Sequence, residues 1–222
     1  LVCDAITGRA RTPIIRPGQN LWLLGFPRLS ADGRWLAAAS EGEVWIWDAA
    51  TGELRATLPH PGLKDNVVSA DPGYVSCFDF SPDSRRIATT AFNDYVRIWS
   101  VPDGAPLTDR IPSGHEESRG VRFSPDGRLI VVCTERGGAQ MRDGATGAPV
   151  GPFLPHDGNC DVALFTPDSR RVITTSPDRT AKVWNTATGR LALPALRHDG
   201  PLDYGSTIQT SERGKVLLTT TA

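Results

Sequence analysis

The sequence predicts an all-β fold made of repeated, four-stranded antiparallel units, and three observations support this class. Short apolar runs rich in Val, Ile, Thr and aromatic residues alternate with turn sequences along the chain, and such runs are too short for helices and typical of strands. The 222 residues include 22 Gly and 18 Pro but a single Met, which favours many turns over long helices. A unit at 154–189 recurs in imperfect copies on both sides.

The unit at 154–189 predicts the order of strands within one copy. Three apolar runs at 162–165, 172–175 and 181–184 are separated by the turn sequences Pro-Asp-Ser and Ser-Pro-Asp-Arg. Proline fixes φ, and Asp or Ser side chains bond back to the local backbone, so both sequences favour tight turns. A fourth run at 191–196 follows a Thr-Gly turn. We therefore predict four antiparallel strands that follow one another as a meander.

Three marks recur along the chain with a common period. A Thr-Gly or Asp-Gly turn recurs with intervals of 44, 52, 43 and 42 residues. The glycines of these turns are Gly8, Gly52, Gly104, Gly147 and Gly189, and the histidines His60, His115, His156 and His198 keep step with them. Asp-containing hairpin turns recur in the same register. A period of about 42 residues with four strands per copy is the signature of a β-propeller, in which each blade packs against its neighbours.

The dipeptide Trp47-Asp48, weakened to Trp99-Ser100 and Trp184-Asn185, resembles the one that names the WD40-repeat family. The resemblance covers essentially the whole chain, and the wording LPHDG, FSPDGR and WDAATG resembles bacterial members that are often fused to Ser/Thr protein kinases. It implies blades whose strands a to d run outward from a central channel. It also implies that the face carrying the d–a and b–c loops binds partners.

The period divides the chain into blades with predicted boundaries. Four full blades are expected at about 20–58, 74–111, 118–154 and 161–197, with partial blades at 1–15 and 204–222. The partial blades supply two strands each, so the ends could pair and close a ring of about five blades. The alternative is a fragment of a larger, seven-bladed ring, which the start of the pattern in mid-strand favours.

His156, Ser176 and Asp178 have the residue types of a hydrolase triad. A triad is recognised by geometry and roles rather than by residue types, and no G-x-S-x-G elbow accompanies these three. The resemblance implies instead that they form a structural hydrogen-bond network with Trp184. We therefore expect no catalytic residue in this unit.

The same network is expected to decay in the other blades. Ala39 stands where the resemblance implies Ser in the first blade, and Ala91 does so in the second. The third blade has Thr134, but Arg142 replaces its tryptophan. We expect uneven stability, with the third blade the loosest.

Composition disfavours several classes of partner. Net charge is −1, from 24 basic and 25 acidic residues, so no global field favours nucleic acid or an anionic membrane. The histidines fall on separate blades, too far apart to share a metal, and we expect neither a metal nor a cofactor. The cysteines show no C-x-x-C pairing, and Cys3 and Cys133 lie in apolar runs, which predicts a reducing, cytoplasmic location.

The leading functional hypothesis is a non-catalytic scaffold for a protein or peptide partner. An insertion at 61–74 lengthens the loop before the second blade and lies on the loop-bearing face, where function concentrates on a rigid scaffold. The candidate contacts are Lys64, Asp65, Asn66, Tyr74, Phe92, Tyr95, Glu116, Arg119, Tyr204 and Trp22. The insertion could instead be a mobile, neutral loop. A second hypothesis is the regulatory propeller of a bacterial Ser/Thr kinase whose catalytic domain lies outside this chain.

Overall fold

Strands joined by turns and irregular connections make up the part of the chain that the structure describes. The computed structural model describes residues 2–3, 7, 9–10, 12, 27–40, 42–64, 67–72, 75–91, 95–112, 118–135, 137–202, 207–211 and 217–220. No helix occurs within these ranges. The predicted all-β class of four-stranded antiparallel blades is confirmed.

Four sheets have four strands each, and in each sheet the strands lie in chain order. We call these sheets the first to fourth blades and their strands a, b, c and d. The first blade contains β1 (Arg28–Leu29), β2 (Trp35–Ser40), β3 (Glu43–Asp48) and β4 (Leu54–Pro59). After a hairpin of β5 (Pro61–Lys64) and β6 (Val67–Pro72), the second contains β7 (Val75–Phe80), β8 (Arg86–Ala91), β9 (Tyr95–Ser100) and β10 (Ile111–Pro112).

The remaining strands repeat the same order. The third blade contains β11 (Ser118–Phe123), β12 (Leu129–Thr134), β13 (Gly138–Asp143) and β14 (Leu154–Pro155). The fourth contains β15 (Val162–Phe165), β16 (Arg171–Ser176), β17 (Thr180–Asn185) and β18 (Leu196–Arg197). A last pair, β19 (Thr207–Thr210) and β20 (Leu217–Thr220), forms a two-stranded sheet. All of these pairings are antiparallel.

The turn between strands a and b follows one hydrogen-bond scheme in all four blades. In the first blade the Ser30 hydroxyl donates to Asp32 Oδ1 at 2.6 Å, and the same oxygen accepts the backbone N–H of Arg34. The hydroxyl oxygen also accepts the N–H of Trp35. The equivalent pairs are Ser81 with Asp83, Ser124 with Asp126 and Thr166 with Asp168. The recurring Asp therefore builds the turn, as its turn chemistry predicts.

The apolar core lies between blades rather than inside each one. Trp35 and Ile46 of the first blade pack with Phe78 and Trp99 of the second. A second cluster joins the second and third blades, and a third joins the third and fourth. The a strands β7, β11, β15 and β19 neighbour one another in sequence order. Because a single sheet cannot cover its own faces, each blade depends on its neighbours for burial.

The insertion at 61–74 is more ordered than a loop. Its strands β5 and β6 pair antiparallel, with Leu63 opposite Val68 and Lys64 opposite Val67. The sequence predicted an insertion that lengthens a loop, whereas the backbone of these residues forms two paired strands. The two strands are joined by a connection of only two residues, which is a common length for a β-hairpin.

Pairing near the two ends is described in part. Cys3 pairs with Ala10, and β20 pairs with β19. A pairing of β20 with the first residues, which a closed five-bladed ring predicts, is absent from the strand pairs of the described residues. The number of blades stays a prediction. Within the same residues, no helix is long and apolar enough to span a membrane.

Candidate functional site

The network predicted around His156 is a chain of buried hydrogen bonds in the fourth blade. His156 Nδ1 lies 3.0 Å from Asp178 Oδ2, and His156 Nε2 lies 2.7 Å from Thr174 Oγ1. Trp184 Nε1 donates to the same Thr174 oxygen at 2.8 Å. One proton arrangement satisfies every group: Nδ1–H donates to Asp178, and the threonine O–H donates to Nε2 while accepting the indole N–H. The chain ties the segment before strand a to strands b and c.

The groups of this network are removed from water. The side chain of His156 is 0% exposed, Thr174 is 0% exposed and Trp184 is 4% exposed. Burial lowers the pKa of His156 although Asp178 opposes the shift. Burial would raise the pKa of Asp178, but hydrogen bonds from Thr180, Asp157 N and His156 lower it. The buried imidazole is neutral and the carboxylate is hydrogen-bonded, so these groups hold the segment before strand a against strands b and c; we call such a network a lock.

Ser176 does not occupy the position predicted for it. Thr174 is the hydroxyl between His156 and Trp184, whereas Ser176 Oγ accepts the N–H of Asp178 at 3.2 Å. The reason is strand register: Trp184 pairs with Val172, so the next residue on the same face of β16 is Thr174. Ser176 lies two residues further, about 6.6 Å along the strand. Its contact shapes the b–c turn that presents Asp178.

The second blade has its own version of the lock. His60 Nε2 lies 2.7 Å from Thr89 Oγ1, which accepts the indole N–H of Trp99 at 2.8 Å. His60 Nδ1 lies 3.0 Å from the Leu58 carbonyl, so a backbone oxygen replaces the carboxylate. Desolvation lowers the pKa of His60 to about 4. The predicted decay in this blade, placed at Ala91, is wrong for these three side chains because Thr89 is the residue equivalent to Thr174.

The third blade departs from the scheme. Strand pairing places Val132 at the position of Thr174 and Arg142 at that of Trp184. Arg142 is 5% exposed, and its guanidinium donates to the carbonyls of Gly147 and Pro112. In the first blade the corresponding residue is Ala38 rather than the predicted Ala39. The network is therefore absent from the side chains described in strands b and c of these two blades.

One of the predicted contact residues lies at the boundary between the third and fourth blades. Arg119, at the start of β11, donates to Asp161 Oδ1 at 3.2 Å and to Glu135 Oε1 at 2.8 Å. Its side chain is 19% exposed, while Asp161 is 2% and Glu135 is 33% exposed. The two carboxylates come from the b–c turn of the same blade and the start of the next. They fix the guanidinium in one orientation at the boundary between the third and fourth blades.

Tyr95 was predicted as a contact residue, and the structure contradicts this because the side chain is 2% exposed. Its ring stacks on His60, with centroids 5.9 Å apart and planes 8° apart. The guanidinium of Arg110 lies 5.1 Å from the ring centroid. Tyr95 is the first residue of strand c of the second blade, and its ring packs on His60, which lies before that blade in the chain. It therefore supports the His60 lock.

The other predicted contacts cannot be placed in the same way. The backbone of Lys64 belongs to β5. The remaining predicted contacts lie outside the described residues: Asp65, Asn66, Tyr74, Phe92, Glu116, Tyr204 and Trp22. The prediction that they contact a partner therefore stays a prediction.

A cavity of about 320 Å³ lies among the a strands of the four blades. Arg28, Arg119 and Arg122 line it. Burial raises the pKa of Asp79 although Arg122, a Phe123 N–H and Arg28 oppose the shift. Arg122 donates to the Val121 carbonyl at 2.8 Å and to Cys77 Sγ at 3.1 Å. Arg28, Cys77, Asp79 and Arg122 form a cluster that the sequence alone did not predict. It arises because equivalent positions of successive a strands come together at the cavity.

No group of three or more His, Cys, Asp or Glu side chains could hold a metal ion among the described residues. His60 and His156 are each committed to a separate lock. Nε2 of His198 lies 3.0 Å from Oγ1 of Thr219, so this ring nitrogen is also engaged in a hydrogen bond.

Comparison with known proteins identifies the repeat. The family model described as WD domain, G-beta repeat matches residues 28–48, 65–100, 108–141 and 147–185. TFIID subunit 5 of Caenorhabditis elegans is 41% identical over 111 residues, covering 49% of this chain and 17% of that protein. SEC12-like protein 1 of Arabidopsis thaliana is 40% identical over 130 residues, covering 56% of this chain and 30% of that protein. The LST8 homolog of Drosophila melanogaster is 36% identical over 76 residues, covering 34% of this chain and 23% of that protein. The chain thus spans less than a third of each of these relatives.

Proposed function

The chain belongs to the WD40-repeat family, and from that premise we propose that it is a non-catalytic protein–protein interaction scaffold. WD40-repeat proteins are generally scaffolds, and relatives such as a transcription initiation factor subunit fit this class. The proposed docking surface is the face that carries the b–c and d–a loops. The observation that carries the proposal is the β5–β6 hairpin, which interrupts the repeat on that face.

The hairpin is well placed to select a partner. It connects the d strand of the first blade to the a strand of the second. The blades that flank it are fixed by an apolar cluster containing Trp35, Ile46 and Trp99. A variable element on a rigid support can contribute specificity without loosening the fold.

Arg119 supplies a second feature on the same face. The start of an a strand and the b–c turns lie at the same end of a blade, because successive strands are antiparallel. Asp161 and Glu135 hold the guanidinium in one orientation, so less side-chain entropy is lost when a partner binds. We propose that Arg119 contacts the partner together with the hairpin and the predicted residues Lys64, Asp65, Asn66, Tyr74, Phe92, Glu116, Tyr204 and Trp22.

The buried locks argue for binding rather than catalysis in the fourth blade. Thr174 has no exposed surface and already bonds to both His156 and Trp184. A nucleophile has to reach a substrate. The hydroxyl of Thr174 does not meet this condition.

Affinity capture tests the proposal. The full-length protein and a variant with residues 62–73 replaced by a short Gly-Ser linker are used as baits, and captured proteins are identified by mass spectrometry. Partners lost specifically by the variant support docking at the hairpin, provided that the variant melts at the same temperature. Identical partner sets would remove the hairpin from the docking surface.

The kinase-linked hypothesis is tested separately by the sequence that precedes this chain in its gene. A Gly-rich loop and an H-R-D-type catalytic loop upstream would support a regulatory propeller fused to a kinase. The relatives described above are eukaryotic proteins that give it no added support.

A further inference from the structure

Two cysteines meet across the boundary between the third and fourth blades. Cys133 lies on β12, and Cys160 precedes β15. Their sulfur atoms are 2.7 Å apart. This separation is longer than the ~2.05 Å of a disulfide bond, and it lies within hydrogen-bonding distance of the two thiols. Both residues carry free thiols.

The backbone holds the two cysteines in this arrangement. The N–H of Cys160 donates to the carbonyl of Thr134, the residue after Cys133, at 3.0 Å. Both side chains belong to the apolar cluster that contains Met141, Phe165 and Trp184. Cys133 is 1% and Cys160 is 0% exposed. Closing a bond between the two sulfurs therefore needs little movement of either blade.

A small molecule can reach this buried pair from a cavity inside the array. Cys133 lines the cavity of about 320 Å³ between the a strands, together with Gly120 and Asp161, the residue after Cys160. A cavity of this size admits a molecule as small as hydrogen peroxide, since one water needs only about 30 Å³. Arg122, whose guanidinium donates to Cys77 Sγ at 3.1 Å, lines the same cavity.

We propose that Cys133 and Cys160 form a disulfide that covalently joins the third and fourth blades when the protein meets a small peroxide. This modification site is independent of the proposed scaffold function. The bond would also fix the position of Asp161, which follows Cys160 directly and binds Arg119.

The reaction is a two-electron oxidation of the thiol pair. The Cys133 thiolate attacks one peroxide oxygen, so an S–O bond forms, the O–O bond breaks, and the leaving hydroxide takes up a proton to become water. The Cys160 sulfur then attacks the sulfenic sulfur, so the S–S bond forms and the S–O bond breaks. The departing hydroxide takes the proton of the Cys160 thiol. In total, two thiols and one hydrogen peroxide give one disulfide and two water molecules.

The burial of Cys160 and the position of Cys133 on the cavity indicate which cysteine reacts first. Burial raises the pKa of Cys160 well above its ordinary value, so this residue is a poor first nucleophile. Cys133 is the residue of the pair that lines the cavity. We therefore assign the peroxide-attacking role to Cys133 and the resolving role to Cys160.

The test uses the whole chain and hydrogen peroxide. Reduced protein is freed of reductant, treated with peroxide, quenched, denatured and alkylated, and its thiols are counted by intact mass. The proposal predicts that a portion left unalkylated loses about 2 Da, the mass of two hydrogens, and that two of the four cysteines are protected from alkylation. It also predicts a cross-linked peptide pair that contains Cys133 and Cys160. Four alkylated cysteines after treatment, or a bond that joins a different pair, would overturn it.

Two variants and a melting measurement complete the test. Cys160→Ala should form no internal disulfide and should accumulate a sulfenic acid at Cys133, detected with dimedone. Cys77→Ala removes another thiol that lines the cavity and should form the disulfide as the unaltered chain does. The oxidised protein should melt about 6–12 °C higher than the reduced protein. An unchanged or lower melting temperature would show that the bond strains the blades rather than joining them.

Discussion

Nε2 of His156 and Oγ1 of Thr174 are 2.7 Å apart, and this contact fastens the start of the fourth blade to its second strand. The same oxygen accepts the indole N–H of Trp184. Thr174 is therefore the shared partner of two buried groups from different segments. Removing its hydroxyl leaves both groups without that partner, whereas removing the Ser176 hydroxyl affects one weaker contact at 3.2 Å.

Thr174→Val should lower the free energy of unfolding by about 2–4 kcal/mol, because each buried group left unsatisfied costs about 1–3 kcal/mol. Valine keeps the shape of the side chain, so a cavity contributes little. Urea denaturation measures the change. Ser176→Ala is the matched control and should cost no more than about 1.5 kcal/mol. Equal losses in the two variants would contradict the assignment of Thr174 as the shared partner.

The protein should lose stability as pH falls from about 6.5 to about 4. The pKa of His60 is lowered by desolvation to about 4 from its ordinary value of 6.5, so between these values the unfolded chain binds more protons than the folded one. The stability that depends on neutral His60 is complete above pH 6.5 and is lost toward pH 4. Its size is about 3 kcal/mol at 1.36 kcal/mol per pKa unit. The lowered pKa of His156 acts in the same direction, and the lowered pKa of Asp178 removes further stability as pH falls below about 3.8.

Urea denaturation at several pH values measures this dependence. His60→Gln should flatten the profile even if it lowers stability at pH 7, because glutamine does not titrate. A profile that is flat in the unaltered chain would show that His60 is not held neutral by burial.

The contact between Ser84 and Asp32 allows the stabilities of two variants at residue 84 to be compared. Ser84 adopts φ of 58° at a position where the first and third blades have glycine, and its hydroxyl accepts the N–H of Asp32 from the neighbouring blade at 3.1 Å. Ser84→Ala keeps the unfavourable left-handed backbone and loses the bond, so it should destabilise by about 0.5–1.5 kcal/mol. Ser84→Gly loses the bond but relieves about 1–2 kcal/mol of backbone strain, so its stability should equal or exceed that of the alanine variant.

Thermal denaturation of both variants decides between these effects. An alanine variant more stable than the glycine variant would mean that backbone strain is negligible at residue 84. Ser169, with φ of 59° and a bond to the N–H of Asp126, offers the same comparison in the fourth blade.

The third blade should open more readily than the fourth. Val132 and Arg142 replace the threonine and tryptophan of the lock, although the Arg142 guanidinium bonds to two carbonyls. Hydrogen exchange of backbone amides measures local opening. Amides of β13 should exchange roughly tenfold faster than those of β17, which corresponds to about 1.4 kcal/mol. Equal protection of the two strands would show that the arginine contacts compensate fully.

Much of the fold could be predicted because each strand and turn carries a local signal. The Pro-Asp and Thr-Gly turns, together with short apolar runs, give the four-stranded copy without long-range information. The errors arose where the partner of a side chain depends on register. Ser176 and Thr174 lie on the same face of one strand, and only the pairing of Val172 with Trp184 shows which hydroxyl meets the indole.

Other features depend on contacts between distant segments. Tyrosine is a residue type typical of surface contacts, yet the ring of His60 covers the ring of Tyr95. The meeting of Cys133 and Cys160 arises from blade packing, which joins positions that no spacing rule connects. The β5–β6 hairpin was missed because an insertion without the repeat pattern was interpreted as a loop.

The affinity of a captured partner for variants of the loop-bearing face tests the central claim most directly. Isothermal titration calorimetry would compare the unaltered chain with the 62–73 linker variant and with Arg119→Lys, which keeps the charge but loses the two-carboxylate geometry. Arg128→Ala, an exposed residue in an a–b turn at the opposite end of the blades, is the control. A scaffold that docks on the loop-bearing face predicts at least a tenfold, or about 1.4 kcal/mol, weaker Kd for the linker variant and an unchanged Kd for the control. Unchanged affinity in both the linker and the Arg119 variants would contradict the account.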